Sequence, residues 1–275
     1  GDNLNNPSKF FDVLTYKGTG SSQAVKGLEF QPDLVWCKNR DTTDEHLVFN
    51  AIRGVEKYTY PSLANAEGTA SNTLTAFNSD GFTMGGSDGT NKNTSKMVTW
   101  NWDAGGAASG ANNNGSINIS SGNQWKNATA GFSMTKYTGT GAAATIGHGL
   151  SVPPEFILTK RTDGSADWAV YHSAHGAEKH LRLNEKNHLE DSTYAWNDTA
   201  PTNTVFSVAN ASFSGDPHDY LAFCWAPIAG YSAFGSFIGK GAANFINTGF
   251  QPRWILIKRS VANSSPDTDT SHTSW

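Results

Sequence analysis

GLEFQPDLVWCKNR (residues 27–40), GLSVPPEFILTKR (149–161) and GFQPRWILIKR (249–259) are one pattern written three times. Each opens on a glycine, places a proline (Pro32, Pro154, Pro252) just before a short apolar run, and closes that run on a lysine (Lys38, Lys160, Lys258). Runs of four to five residues that are almost continuously apolar, rather than alternating, read as strands buried on both faces. A proline at the start of such a strand removes no ladder donor. The pattern therefore predicts a central strand, repeated, with something packed on each side.

Moving outward, the flanks repeat as well. FDVLTYKGTG (11–20) returns as FSMTKYTGTG (132–141) and more loosely as FGSFIGKG (234–241). HLVFNAIRG (46–54) matches WAVYHSAHG (168–176), and SDGFTMG (79–85) matches TNTVFSV (202–208). MVTWNWDAG (97–105) matches YLAFCWAPI (220–228), setting Trp102 against Trp225, 123 positions apart. The Asp-Gly of NSDGF carries a hairpin signal. No segment keeps a 3.6-residue apolar period. The expected fold is all-β, built of tandem antiparallel β-sandwich units of jelly-roll-like kind. Their expected bounds are an N-terminal arm at 1–10, a first unit at 11–105, a Gly/Ser/Asn-rich linker or edge hairpin at 106–131, a second unit at 132–230, and the opening of a third at 231–275.

Composition agrees. Only 16% of the 275 residues are charged, glycine reaches 28 and tryptophan nine. That mixture suits extracellular β-structure and lacks the Leu, Glu, Lys and Ala that helical bundles require. A net charge of −4 disfavours binding to nucleic acid or anionic membrane. No apolar run nears the ~20 residues of a membrane helix. The opening GDNLNNPSKFF has no signal-peptide pattern, and the chain reads as a segment of something longer. Cys37 and Cys224, each inside an apolar run, read as buried free thiols, and the absence of CxxC argues against structural zinc.

Several blocks resemble a known family. Tyr137-Thr138-Gly139-Thr140-Gly141, His148-Gly149-Leu150, Lys160-Arg161, Trp168-Ala169-Val170-Tyr171-His172 and Gly230-Tyr231-Ser232-Ala233-Phe234-Gly235-Ser236 carry the likeness. They are similar to repeat domains in long tail-fibre or tail-tip proteins of bacteriophages, marine ones in particular. The first unit departs from this pattern at 46–50, where HLVFN stands for W-x-V-Y-H. The resemblance implies an extracellular virion appendage that contacts a host cell-surface polysaccharide or receptor and other tail proteins. A homo-oligomer such as a trimer is expected. The resemblance carries over no catalytic residue.

The candidate binding residues are aromatics and histidines near loop sequence: Trp168, Tyr171, His172, His175, Tyr194 and Trp196. Exposed rings stack on sugar faces while neighbouring polar groups bond the hydroxyls. The alternative for Trp168 is a place in its own unit's core. The candidate oxygen and nitrogen ligands for a metal are Asp163, Asp167, Asp216, His218 and Asp219; calcium is the ion such oxygens suit, although no EF-hand spacing is present and no cofactor is otherwise expected. No G-x-S-x-G, H-E-x-x-H or P-loop occurs. Binding is therefore preferred to catalysis. The alternatives are a polysaccharide depolymerase or glycoside hydrolase drawing on Asp216, Asp219, Glu155 or Asp163, and a bacterial adhesin or carbohydrate-binding module.

Overall fold

The computed structural model describes residues 4, 6–191 and 193–261. The first half holds strands β1 (Phe11–Lys17), β2 (Gln23–Lys26), β3 (Leu34–Asn39), β4 (Leu47–Asn50), β5 (Lys57–Tyr58), β6 (Gly68–Thr69), β7 (Leu74–Asn78), β8 (Gly81–Met84) and β9 (Lys96–Trp102). The second holds β10 (Gln124–Asn127), β11 (Phe132–Thr138), β12 (Ala144–Gly147), β13 (Phe156–Arg161), β14 (Ala169–His172), β15 (Lys179–Arg182), β16 (Glu190–Asp191), β17 (Val205–Val208) and β18 (Asp219–Trp225). The protein is all-β, with antiparallel sheets and, among the described residues, only single-turn helices beside the strands.

Two large sheets share one strand order. The first runs β1-β9-β3-β4, and the second contains β11-β18-β13-β14 extended by β10 on one side and by β15 and β16 on the other. The registers correspond too. Phe11 and Leu34 both face Trp102, as Phe132 and Phe156 both face Trp225. β1 thus pairs with β9 as β11 pairs with β18, and β2 pairs with β8 as β12 pairs with β17. This nesting is jelly-roll-like; β4 departs from it by staying in the sheet of β3 as its hairpin partner.

Side-chain alternation stacks the sheets in layers. In β3, Val35 and Cys37 point to an outer core shared with Val25, Phe82 and Met84 of the small β2-β8-β7 sheet. In β13 and β18, Ile157 and Cys224 point to the opposite outer core, covered by Ile146 and Phe206 of the β12-β17 pair. The remaining faces meet each other. Leu34, Trp36 and Trp102 of the first sheet share one central core with Met134, Leu158 and Phe223 of the second. The doubly apolar runs are therefore buried on both sides, and one cover is the other half of the chain.

A loop of the first half is also sewn onto the second. The Trp168 indole N–H donates to the Tyr60 carbonyl (2.8 Å), and the Lys160 ammonium donates to the carbonyls of Ala64 (3.0 Å) and Ala166 (2.7 Å). Backbone bonds Glu67 N to Thr162 O and Ala166 N to Ala64 O complete the seam. Lys38 does the same work locally, donating to the carbonyls of Asn39, Thr42 and Asp44. Lys38 and Lys160, closing the first two apolar runs, thus satisfy part-buried and buried carbonyls beside their strands.

The segment at 106–131 docks onto the second sheet. Its Gln124–Asn127 is edge strand β10, paired with β11, while Ile117 bridges to Ile146 and Ile119 is buried in the outer core. Gln124 explains part of this: its buried amide donates to Thr135 Oγ1 (3.0 Å) and to the Gly147 carbonyl (2.7 Å). From Ala233 to Ser260 the chain forms no strand, yet Phe234, Trp254 and Leu256 pack against the central core. Residues 262–275, and with them the end of the expected third unit, lie outside the described residues.

Candidate functional site

The structure removes three rings from the expected sugar platform. Trp168 is 1% exposed, stacked on Phe223 at 6.1 Å in the central core. Tyr171 and Trp196 are buried against each other in the outer core of the second half, centroids 5.8 Å apart. A ring enclosed on both faces has none left for a sugar. The reason is positional: Trp168 precedes and Tyr171 lies within β14, an interior strand, and Trp196 ends a single helical turn that folds inward. Tyr194 on that turn is 63% exposed. His172 and His175 are partly buried, rings 5.6 Å apart, and His172 Nδ1 accepts the Ala174 N–H, which closes a local turn.

Of the expected metal ligands, Asp163, Asp167 and Asp219 accept hydrogen bonds from other side chains. Asp163 accepts from Arg161 (2.7 Å) and contacts His218 Nδ1 (3.1 Å). Burial pushes its pKa up, but these hydrogen bonds outweigh burial and hold it below the usual carboxylate range. Asp167 binds Arg182 (2.7 Å) and the Asn184 amide (2.8 Å), and Asp219 accepts the Thr138 hydroxyl (2.8 Å). Asp216 caps the turn before β18 through its carbonyl, which accepts the His218 N–H. Among the described residues no three His, Cys, Asp or Glu side chains gather as a metal-binding group.

What the fold does assemble is an aromatic groove on the first half. Trp36 of β3 and Trp100 of β9 are cross-strand neighbours, so their rings share the central face of the first sheet. His46 enters just before β4. Its Nδ1 accepts the Trp36 indole N–H at 3.0 Å, and its ring stacks on Trp100 at 6.3 Å with a 14° interplanar angle. The extended segment from Pro252 to Leu256 forms the other wall, with Trp254 6.1 Å from Trp36. The groove so enclosed has a volume of about 430 Å³. Arg253 stands on its rim, ion-paired with Asp12.

The matched block of the second half explains why a groove forms here. There Trp168 takes the place of His46 and stacks on Phe223 as His46 stacks on Trp100. The imidazole is the smaller ring, so less side chain stands over Trp100 than over Phe223. Burial, reinforced by the charge of Lys38, lowers the pKa of His46 to about 4. It is neutral at physiological pH, and because Nδ1 accepts, the proton sits on Nε2. The signal was present in the sequence at 46–50, where HLVFN departs from W-x-V-Y-H and His46 stands in the tryptophan's place.

A second groove, of about 570 Å³, lies between the turn at 227–234 and residues 248–250. Its walls mix small residues with Ile228, Phe234 and Phe250, and Glu155 is the lone carboxylate among its lining residues. Glycoside hydrolysis of the usual kind needs two.

No curated protein and no solved structure matches the chain. Residues 6–269 match DUF7483, a domain of unknown function, and the match runs through both large sheets and the tail that walls the groove. With nearly its whole length so covered, the chain belongs to the DUF7483 family.

Proposed function

We propose that this chain is a structural and receptor-binding segment of a phage tail fibre, exposed on the virion, and that it holds a host cell-surface glycan without cleaving it. The observation that carries the reading is the groove of Trp36, Trp100 and Trp254 with His46 at its base. Aromatic walls with a few polar groups are the chemistry that takes a sugar: rings cover its C–H faces, while polar groups at the rim bond its hydroxyls. The likeness of the repeated blocks to tail-fibre domains supports the placement on a virion. Several such sites in one oligomeric fibre would add avidity to weak single contacts.

A glycan array probed with the intact chain, followed by titration of each hit against Trp100→Ala, tests the proposal. Saturable binding by the wild type, weakened in the variant, supports it. Release of reducing ends from host polysaccharide would replace it with the hydrolase reading.

A further inference from the structure

Asp33 and Glu155 hold matched places in the two halves. Each stands just before a central strand, β3 or β13, and donates its N–H to the carbonyl of the middle strand's last residue, Trp102 or Trp225. The carbonyl of each accepts the N–H of the residue that follows the next strand, Ala51 or Ser173. The carboxylates differ. That of Asp33 is buried and accepts the N–H groups of Ala104 (2.8 Å) and Gly106 (3.3 Å) and the Gln31 amide (3.4 Å).

Two prolines remove the corresponding donors from the second half. With Trp102 set against Trp225, Pro227 takes the place of Ala104; with Asp33 set against Glu155, Pro153 takes the place of Gln31. Proline has neither a backbone N–H nor a side-chain donor to give. Among the described residues the Glu155 carboxylate makes no hydrogen bond and no ion pair. Its charge reaches Tyr171, whose hydroxyl is held above its ordinary pKa by burial first and by Glu155 second. The residues outside the described ones, 1–3, 5, 192 and 262–275, include no lysine or arginine.

This unpaired carboxylate lines the second groove, of about 570 Å³. No lysine, arginine or histidine is among the lining residues; Ser232 and Thr248 bring hydroxyls, and Ile228, Phe234 and Phe250 the large apolar surface. One negative charge among aromatic and hydroxyl groups is complementary to a cation carried on a body with both C–H and O–H surface. Phe250 lines this groove and Pro252 the aromatic one, so the two walls are no more than about 7 Å of backbone apart.

From this we infer that the second groove is a subsite for an amino sugar whose amine is free. Glu155 takes the ammonium, Phe234 and Phe250 cover C–H faces of the ring, and the rest of the oligosaccharide runs toward the aromatic groove. The sugar class rests on the glycan reading above; the preference for a cation rests on Glu155 alone.

Isothermal titration of the intact chain with a glucosamine tetramer and with its N-acetylated counterpart tests this, in mildly acidic buffer that keeps the amines protonated. The wild type should bind the free-amine oligomer at least about tenfold more tightly, as one hydrogen bond to a charged group provides. Glu155→Gln should bring the two affinities together, with its thermal midpoint at the wild-type value because the carboxylate holds no partner. Asp198→Asn removes an equal charge from an exposed turn outside the groove and should keep the preference. Equal affinities in the wild type, a preference that survives Glu155→Gln, or one lost as fully in Asp198→Asn would overturn the inference. Trp100→Ala reports on the glycan reading separately. If it binds the acetylated oligomer undiminished while the amine preference still follows Glu155, the aromatic groove falls and this subsite stands. If the acetylated oligomer binds through Trp100 and the wild type shows no amine preference, the subsite falls and the aromatic groove stands.

Discussion

Trp168 and His46 occupy matched places and do different things, and the difference is one side chain wide. Both stack on the aromatic of a middle strand, Phe223 or Trp100. Trp168 also bonds the Tyr60 carbonyl across the seam between the halves. Replacing it with alanine should cost about 3–5 kcal/mol in denaturant unfolding, the usual penalty for emptying a large aromatic site, and should leave glycan affinity per folded molecule unchanged. His46 has an acid-linked role. Its folded pKa of about 4 lies below the ordinary imidazole value of 6.5. Its contribution is therefore complete above pH 6.5 and is lost as pH falls toward 4, because the unfolded chain binds the proton first. His148, His172, His175 and His180 are depressed in the same direction, in each case by burial first. Asp33 opposes them: burial raises its carboxyl to about 6, so its contribution is greatest below the unfolded value and is lost as pH rises through 6. The thermal midpoint of the wild type should fall between pH 6.5 and 4, and His46→Gln should fall less steeply. An identical slope in the variant would show that His46 titrates normally.

At the scale of elements, the strands were legible and their partners were not. Short apolar runs ending in lysine, such as LVWCK and FILTK, became β3 and β13, buried on both faces as their composition required. The loop-side reading of Trp168 and Tyr171 failed because W-x-V-Y alternates across a strand: its rings point to opposite faces, and both faces of β14 are covered. Likewise Gly, Ser and Asn in 106–131 describe backbone freedom, yet Gln124, Ile117 and Ile119 anchor that stretch by contacts that only the folded second half provides. The groove combines positions 36, 46, 100 and 254, which no local pattern links; only the break in the repeat at 46 pointed toward it. The tail gives a sharper test. Phe234, Trp254 and Leu256 cover the central core at one side, so ending the chain after Gly230 should destabilise it by about 2–5 kcal/mol, the worth of two or three partly buried large apolar side chains. Dye binding to newly exposed apolar surface should rise with it. An unchanged unfolding midpoint would mean that the tail only rests on the sheet.

For the whole molecule the central core is decisive. Two sheets of matching order do not stand as separate beads; they bury Leu34, Trp36 and Trp102 against Met134, Leu158 and Phe223, and a loop bonded to Trp168 and Lys160 fastens the join. Calorimetry should accordingly record one cooperative transition for the chain, with calorimetric and van't Hoff enthalpies equal. Two resolved transitions would mean that the halves fold on their own. The same core shapes the binding site, since the aromatic groove opens where the first sheet presents His46 in place of an indole. Titration of a glycan-array hit into the wild type and into Trp100→Ala, with unfolding curves for both, tests that assignment most directly. Loss of a stacking ring should weaken binding by about 1–3 kcal/mol, by analogy with the stacking of nucleic-acid bases on single aromatic side chains, while the variant remains folded. Undiminished affinity in a folded Trp100→Ala would contradict the groove as the glycan site.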